Sequence, residues 1–82
     1  MNTTDAVIQR IKDLCQEQGI AFHTLSYRAA IPKSTLMSIA KGNSVPTIKS
    51  IARICRGFDI SVKEFFNSEL FEVCEEDDEF LW

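Results

Sequence analysis

The most informative part of this sequence is the stretch Ala21-Phe-His-Thr-Leu-Ser-Tyr-Arg-Ala-Ala-Ile-Pro-Lys-Ser-Thr-Leu-Met-Ser-Ile-Ala-Lys-Gly-Asn-Ser-Val-Pro46. Its apolar spacing predicts two short helices, at about residues 22–29 and 32–41, joined by a tight turn. Pro32 suits the first turn of the second helix, because its missing N–H would have no partner there, and Gly42 suits the end of that helix. The second helix would therefore be short and sharply bounded, with its polar residues on the outer side.

Three further helices are predicted around this pair. The first spans about residues 5–18, with Thr4 as its N-cap and Gly19 at its end. The other two span about residues 47–58 and 61–67. No segment alternates apolar and polar residues with period two over a useful length. We therefore predict an all-α fold, a small orthogonal bundle of five helices.

The last two helices carry local signals for their ends and their packing. Thr47 is a suitable N-cap for the fourth helix and Asp59 a suitable left-handed terminator. Ser61-Val-Lys-Glu64 has the pattern of a capping box and opens the fifth helix. We expect the side chains that face inward from these two helices to be Ile48, Ile51, Ala52, Cys55, Phe65 and Phe66.

Charge is divided unevenly along the chain. All nine Lys and Arg residues, but only five of the 12 Asp and Glu residues, lie within residues 1–68, a balance of +4. Residues 69–82 hold the other seven acids and no base, a balance of −7. A mildly basic body can attract a polyanion, whereas such a tail would repel one. We therefore divide the chain into a domain at 1–67 and an acidic C-terminal extension at 68–82.

Composition argues against several classes of protein. Three widely spaced cysteines and one histidine do not supply clustered zinc ligands, so we expect no metal site and reduced, partly buried thiols. Without a cofactor-binding loop or paired inward carboxylates, we expect no cofactor and no enzyme. No apolar run approaches the roughly 20 residues of a membrane span, and the first residues lack the pattern of a signal peptide. A bacterial, cytoplasmic protein without membrane contact is the expectation.

The joint spacing of these features resembles that of the Cro/cI-type helix-turn-helix domain, the XRE family. The resemblance covers about residues 5–67. It implies a five-helix, lambda-repressor-like bundle with the helix at 32–41 as the recognition helix in the DNA major groove. It also implies a sequence-specific transcriptional regulator that binds double-stranded DNA as a two-fold homodimer. The resemblance depends on Leu25-Ser26, Ile31-Pro-Lys-Ser-Thr-Leu36, Gly42 with Pro46, and Ile60-Ser61-x-x-Glu64-Phe65.

Three groups of candidate site residues follow from this resemblance. Donors on the outer side of the recognition helix, and a methionine that can contact a thymine methyl, are the candidates for base contacts: Lys33, Ser34, Met37 and Ser38. Polar residues beside that helix are the candidates for phosphate contacts: His23, Thr35, Lys41, Asn43, Ser44 and Lys49. Large apolar residues near the C-terminus are the candidates for a dimer or partner surface: Phe66, Leu70, Phe71 and Trp82.

Several residues depart from the family pattern. Ala21 stands where a Thr or Ser cap is usual, and Phe22 where a Gln often contacts a phosphate. Ala30 replaces the usual glycine of the turn, at a cost on the order of 1 kcal/mol if left-handed geometry is kept. With few basic residues on the outer side, we expect weak binding by a monomer, with a strong dependence on salt.

The alternative function is a protein-interaction module, an antitoxin-like protein or adaptor. In that case the helical body is a scaffold, and the acidic and apolar tail docks a partner protein or masks the DNA face. Residues 70–74 would either extend the fifth helix or form a sixth against the core. Lys33 and the tail separate the two functions, because a DNA-binding protein depends on Lys33 and an interaction module depends on the tail.

Overall fold

The computed structural model describes residues 1–76, and the fold in that part of the chain is all-α, as predicted. Residues 70–73 form a short sixth helix and do not extend the fifth. The rest of the predicted C-terminal extension, residues 77–82 with the predicted surface residue Trp82, lies outside the described residues. The helices are α1 (Thr3–Gln18), α2 (Phe22–Ala29), α3 (Lys33–Ala40), α4 (Ile48–Phe58), α5 (Val62–Phe66) and α6 (Leu70–Val73).

The start of α1 differs from the prediction. Asn2, and not Thr4, is the N-cap, and its side-chain oxygen accepts a hydrogen bond from the Asp5 N–H at 2.8 Å. Any of three consecutive polar residues can cap a helix, so the sequence alone does not choose among them. Gly19 ends the helix in the left-handed conformation, with φ at 66°, as predicted.

A single core lies between the helices, and its closest helix approach is between α2 and α4. Gly57 of α4 is buried, and a Cβ atom placed there would lie 3.0 Å from Leu25 Cδ1 and 3.2 Å from the Ala29 backbone nitrogen. Only glycine lets the two helices approach this closely. The core is formed by Val7, Ile8, Ile11, Leu14, Cys15, Leu25, Ala29, Ile31, Leu36, Ile39, Ile51, Ile54, Cys55, Phe58 and Phe65.

The predicted inward side of α4 is partly wrong. Ile48 is 79% exposed and Ala52 is exposed too, whereas Ile51 and Cys55 are buried as expected. The buried stripe also includes Ile54, one of the side chains with no exposed surface. The buried side of α4 is therefore rotated about the helix axis, by roughly the angle between two consecutive residues, from the side that we predicted. Close packing through Gly57 sets this rotation.

Side chains of α1 satisfy carbonyl groups at the ends of two other helices. The Arg10 guanidinium donates to the backbone oxygens of Phe65 at 2.7 Å and Glu64 at 3.0 Å. The Gln18 amide donates to the backbone oxygen of Phe58 at 2.9 Å. The Glu64 carbonyl also accepts from the Asn67 N–H at 3.2 Å, and the three side-chain bonds fix the ends of α4 and α5 against α1.

The first part of the acidic extension packs against the body. The Phe71 ring of α6 lies 4.8 Å from the Phe66 ring and 6.2 Å from the Phe65 ring, measured between centroids. The Glu75 N–H then donates to the backbone oxygen of Met1 at 3.0 Å. Residues 68–76 are thus attached to both α5 and the start of α1.

The three cysteines have free thiols that are buried or half-buried, as the composition predicted. Cys15 and Cys55 are free and buried, and Cys74 is free and half-buried. Burial raises the pKa of the Cys15 and Cys55 thiols above its ordinary value, which keeps both protonated at neutral pH.

Within residues 1–76, no helix has the length and apolar character needed to cross a bilayer.

Candidate nucleic-acid interface

The turn between α2 and α3 keeps left-handed geometry without a glycine. Ala30 has φ at 57° and ψ at 43°, a conformation that costs an L-residue roughly 1–2 kcal/mol. The next N–H, that of Ile31, donates to the Ser26 carbonyl at 3.0 Å, and the Ile31 side chain is buried in the core. A long contact of 3.5 Å from the Arg56 guanidinium reaches the Ala29 carbonyl. These contacts fix the angle at which α3 leaves α2.

Helix α3 is held by two side chains. Leu36 and Ile39 are buried, at 0% and 2% exposure, while Ala40 is only half-buried. Pro32 is the N-cap residue and forms no side-chain cap bond. The helix therefore depends on its buried side for support, and its polar residues are not used to stabilise its own ends.

The four candidate base-contact residues share one side of α3. At about 100° of rotation per residue, they span an arc of about 140°, opposite the two buried side chains. Thr35 lies beyond the edge of that arc, which fits its assignment to a phosphate and not to a base. Lys33 and Ser34 are exposed, while Met37 and Ser38 are half-buried.

The loop after α3 presents side chains and leaves few backbone donors. Lys41, Asn43 and Ser44 are all exposed. The backbone N–H groups of Lys41, Gly42 and Asn43 already donate to carbonyls of α3, at 2.9, 3.0 and 2.9 Å. A phosphate at this loop would therefore be held mainly by side chains and by the Lys41 charge.

The remaining phosphate candidates stand at the starts of two other helices. Lys49 is exposed in the first turn of α4, directly after the loop, and the Thr47 hydroxyl caps that helix by accepting from the Ser50 N–H at 3.0 Å. His23 is exposed in the first turn of α2, apart from the loop, and Ala21 supplies no side-chain cap there. Both side chains are exposed and so accessible to a ligand.

The charge around α3 is more positive than our count of outer basic residues indicated. Between Glu17 and Asp59 the sequence has six Lys or Arg residues and no Asp or Glu. Three of the six were omitted from our site prediction, and all three are exposed: Arg28 on α2, and Arg53 and Arg56 on α4. A search for acid-free stretches would have found this signal, because a region that attracts phosphates gains as much from lacking carboxylates as from adding bases.

The structure brings three of the four candidate surface residues into one region. Phe66, Leu70 and Phe71 are each half-buried, on α5 and α6. The Phe66 and Phe71 rings meet edge to face, with an angle of 61° between their planes. This aromatic cluster lies on helices other than α3.

Comparison with known proteins gives an informative likeness to a solved structure. No model of a known protein family matches the sequence, and no curated protein matches it. Among solved structures, the wild-type restriction-modification controller protein C.Esp1396I is similar, with a TM-score of 0.78 and 26% sequence identity. The alignment covers 90% of this chain and 95% of that chain. The likeness thus extends over nearly the full length of both proteins.

Proposed function

We propose that this chain, which has the fold of the Cro/cI-type helix-turn-helix (XRE) proteins, is a sequence-specific DNA-binding transcriptional regulator. Its similarity to a restriction-modification controller protein supports a regulatory role. The observation that carries the proposal is the surface of the helix-turn-helix unit, where the polar arc of α3 lies in a 41-residue stretch, residues 18–58, without an acidic side chain. Such a surface attracts the phosphate backbone and presents donors to the groove.

Sequence choice comes from the first turns of α3. In helix-turn-helix proteins the N-terminal residues of the second helix approach the base edges. Lys33 and Ser34 occupy that position and are exposed, so their side chains can donate to guanine O6 and N7 or to other acceptors. Met37 and Ser38 lie one turn further along, where Met37 would contact a thymine methyl.

Register and affinity come from the flanking residues. The side chains of Thr35, Lys41, Asn43, Ser44, Lys49 and His23 would contact phosphates on either side of α3. Only the cationic contacts release counterions, so Lys41 and Lys49 give a slope near about −1.8 in a plot of log affinity against log salt concentration for one monomer, and about −3.6 for a dimer, at roughly −0.9 for each contact. Binding by a single copy should therefore be weak at physiological salt.

A two-fold dimer would supply the remaining affinity. Its proposed surface is the region of Phe66, Leu70 and Phe71, and it leaves α3 free. Two recognition helices about 34 Å apart would then read half-sites one turn of DNA apart. Sedimentation at high protein concentration without DNA tests this surface, and we expect a dimer that Phe66→Ser converts to monomer. A wild-type protein that stays monomeric would contradict the proposed dimer.

The DNA-binding surface is tested with a long duplex of random sequence over a series of salt concentrations. We expect affinity to fall steeply with salt, and Lys41→Glu to weaken it further. Lys63→Glu is the matched control, since Lys63 is exposed on α5 and changes the net charge equally. Equal effects of the two variants would contradict the assigned surface. Absence of binding by the wild-type protein would favour the alternative, a module that binds a partner protein.

A further inference from the structure

We propose that the last six residues, Asp77-Asp-Glu-Phe-Leu-Trp82, dock into a groove between α1 and the end of α3 and compete there with DNA. The docking is independent of any ligand, while the competition rests on the proposed function. The segment itself lies outside the described residues. The proposal is argued from where the described chain ends, from the groove beside that point, and from the charges on both.

The described chain ends beside the start of α1. The Glu75 N–H donates to the Met1 carbonyl at 3.0 Å, and the Thr3 hydroxyl donates to the Glu75 carbonyl at 3.1 Å. These two bonds hold Glu75 alongside the first residues of the chain. The described chain therefore ends one residue after a point that is fixed next to Met1.

A groove of about 270 Å³ begins at that point and ends at the recognition helix. Met1 is part of its lining, and so are Ala40, Lys41 and Gly42 at the end of α3. Six extended residues reach about 20 Å, which exceeds the width of a groove of this volume. The segment is therefore long enough to span the groove, and the volume of the groove limits what enters it to part of the segment. The α1 side of the groove consists of Asp5, Ile8, Gln9 and Lys12.

The order of residues in the segment matches the chemistry of the groove. The segment has three carboxylates followed by three apolar side chains. The groove offers two exposed ammonium groups, on Lys12 and Lys41, against one carboxylate, on Asp5. The exposed Met1 and the half-buried Ala40 supply apolar surface for part of an aromatic ring. The carboxylates would pair with the ammonium groups while part of Phe80-Leu-Trp82 leaves water.

The consequence is that the carboxylates of the segment and the phosphates of DNA compete for the ammonium group of Lys41. Lys41 is one of the proposed phosphate contacts, so a carboxylate paired with it excludes a phosphate and repels the neighbouring ones. By linkage, DNA binding must release the segment as strongly as the segment opposes DNA. The acidic extension would then act as an internal competitor that sets how much DNA is needed to occupy α3.

Docking is measured without DNA through Trp82, the single tryptophan of the chain. We expect acrylamide to quench its fluorescence several-fold less efficiently than that of a free peptide of residues 75–82, at every protein concentration. Lys12→Glu should raise quenching to the level of the peptide, and Lys63→Glu should leave it unchanged. Lys12 is chosen because it belongs to the groove and not to the proposed DNA contacts.

Three results would overturn the docking. Quenching equal to that of the peptide would mean that the segment stays in solvent. Protection that survives Lys12→Glu would place Trp82 elsewhere, for example on the aromatic cluster of Phe66 and Phe71. Protection that grows with protein concentration would assign the groove to the segment of a second copy.

Competition is measured by binding to a random-sequence duplex. A variant that ends at Glu76 should bind about three- to tenfold more tightly than the full chain, the range that one or two exposed ion pairs supply. Replacement of Asp77, Asp78 and Glu79 by the corresponding amides should reproduce most of that gain. Unchanged affinity in both variants would overturn the competition. Loss of all DNA binding together with a protected Trp82 would refute the proposed function and leave the docking intact.

Discussion

Helices α3 and α4 follow each other along the chain, and both begin at or just after a proline, but they use their polar residues differently. In α4, Thr47 caps the first turn at 3.0 Å and Gln18 satisfies the last carbonyl at 2.9 Å. In α3 no side chain caps the first turn, and only Leu36 and Ile39 are buried. In α4 the polar groups at the helix ends stabilise the body, whereas α3 leaves its polar side chains available for a ligand.

The largest expected effect tests whether α3 depends on its buried side. Leu36→Ala removes a side chain with no exposed surface and should lower the free energy of unfolding by about 2–5 kcal/mol. Ser34→Ala, on the exposed side, should change it by less than about 0.5 kcal/mol. Urea unfolding gives both values. Comparable losses would show that the outer residues also support the helix, and the contrast with α4 would fail.

The second effect tests whether the exposed side of α3 reads bases. Lys33→Ala should weaken binding to a selected operator by about 1–3 kcal/mol and relax the preference at one base pair of each half-site. Its free energy of unfolding should stay within about 0.5 kcal/mol of the wild type. Titration of labelled duplexes that differ at single positions measures the preference. An even loss over all sequences would instead make Lys33 a phosphate contact.

The third effect tests the capping of α4. Thr47→Ala removes the acceptor of the Ser50 N–H and should cost about 1 kcal/mol of stability. Ala21→Ser is the reciprocal change, since Ala21 has the backbone angles of an N-cap and no side-chain bond. It should add a similar amount to the stability of α2. Thermal unfolding of the two variants is sufficient, and changes of the same sign would contradict the assignment.

The smallest effect concerns the turn that aims α3. Ala30→Gly relieves a left-handed alanine but increases the entropy of the unfolded chain, so we expect a gain of a few tenths to about 1 kcal/mol. Asp59→Gly is the control, since Asp59 has nearly the same backbone angles at the end of α4 and tolerates them better. A larger gain at Asp59 than at Ala30 would contradict this explanation.

Local signals in the sequence were sufficient for most of the helices. Thr47 and Ser61 cap α4 and α5 as predicted, and Ala30 and Asp59 have the left-handed geometry expected of them. Each of these features depends on a side chain or backbone that interacts within a few residues. The turn and the bounds of α2 were therefore predictable without knowledge of the packing.

Features that depend on distant parts of the chain were not predictable in the same way. The exposure of Ile48 follows from the rotation of α4, which the approach through Gly57 sets. The choice of Asn2 as cap accompanies a bridge between Asn2 and Glu75, residues at opposite ends of the described chain. The groove beside Met1 likewise combines residues 1–12 with residues 40–42, which are distant in the sequence. Which side of α3 faces outward was predictable from the helical period of its apolar residues. The residues that surround this helix in the fold were not predictable.

The central claim, that α3 reads a specific DNA sequence, is tested most directly by selection of bound duplexes from a random library at near-physiological salt. The full chain and the variant ending at Glu76 should both recover a pseudo-palindrome with half-sites about one helical turn apart. The shorter variant is preferred to one ending at Asn67, which would remove Phe71 from the aromatic cluster. Recovery of no common sequence by either protein, or of one that Lys33→Ala and Ser34→Ala leave unchanged, would contradict the claim.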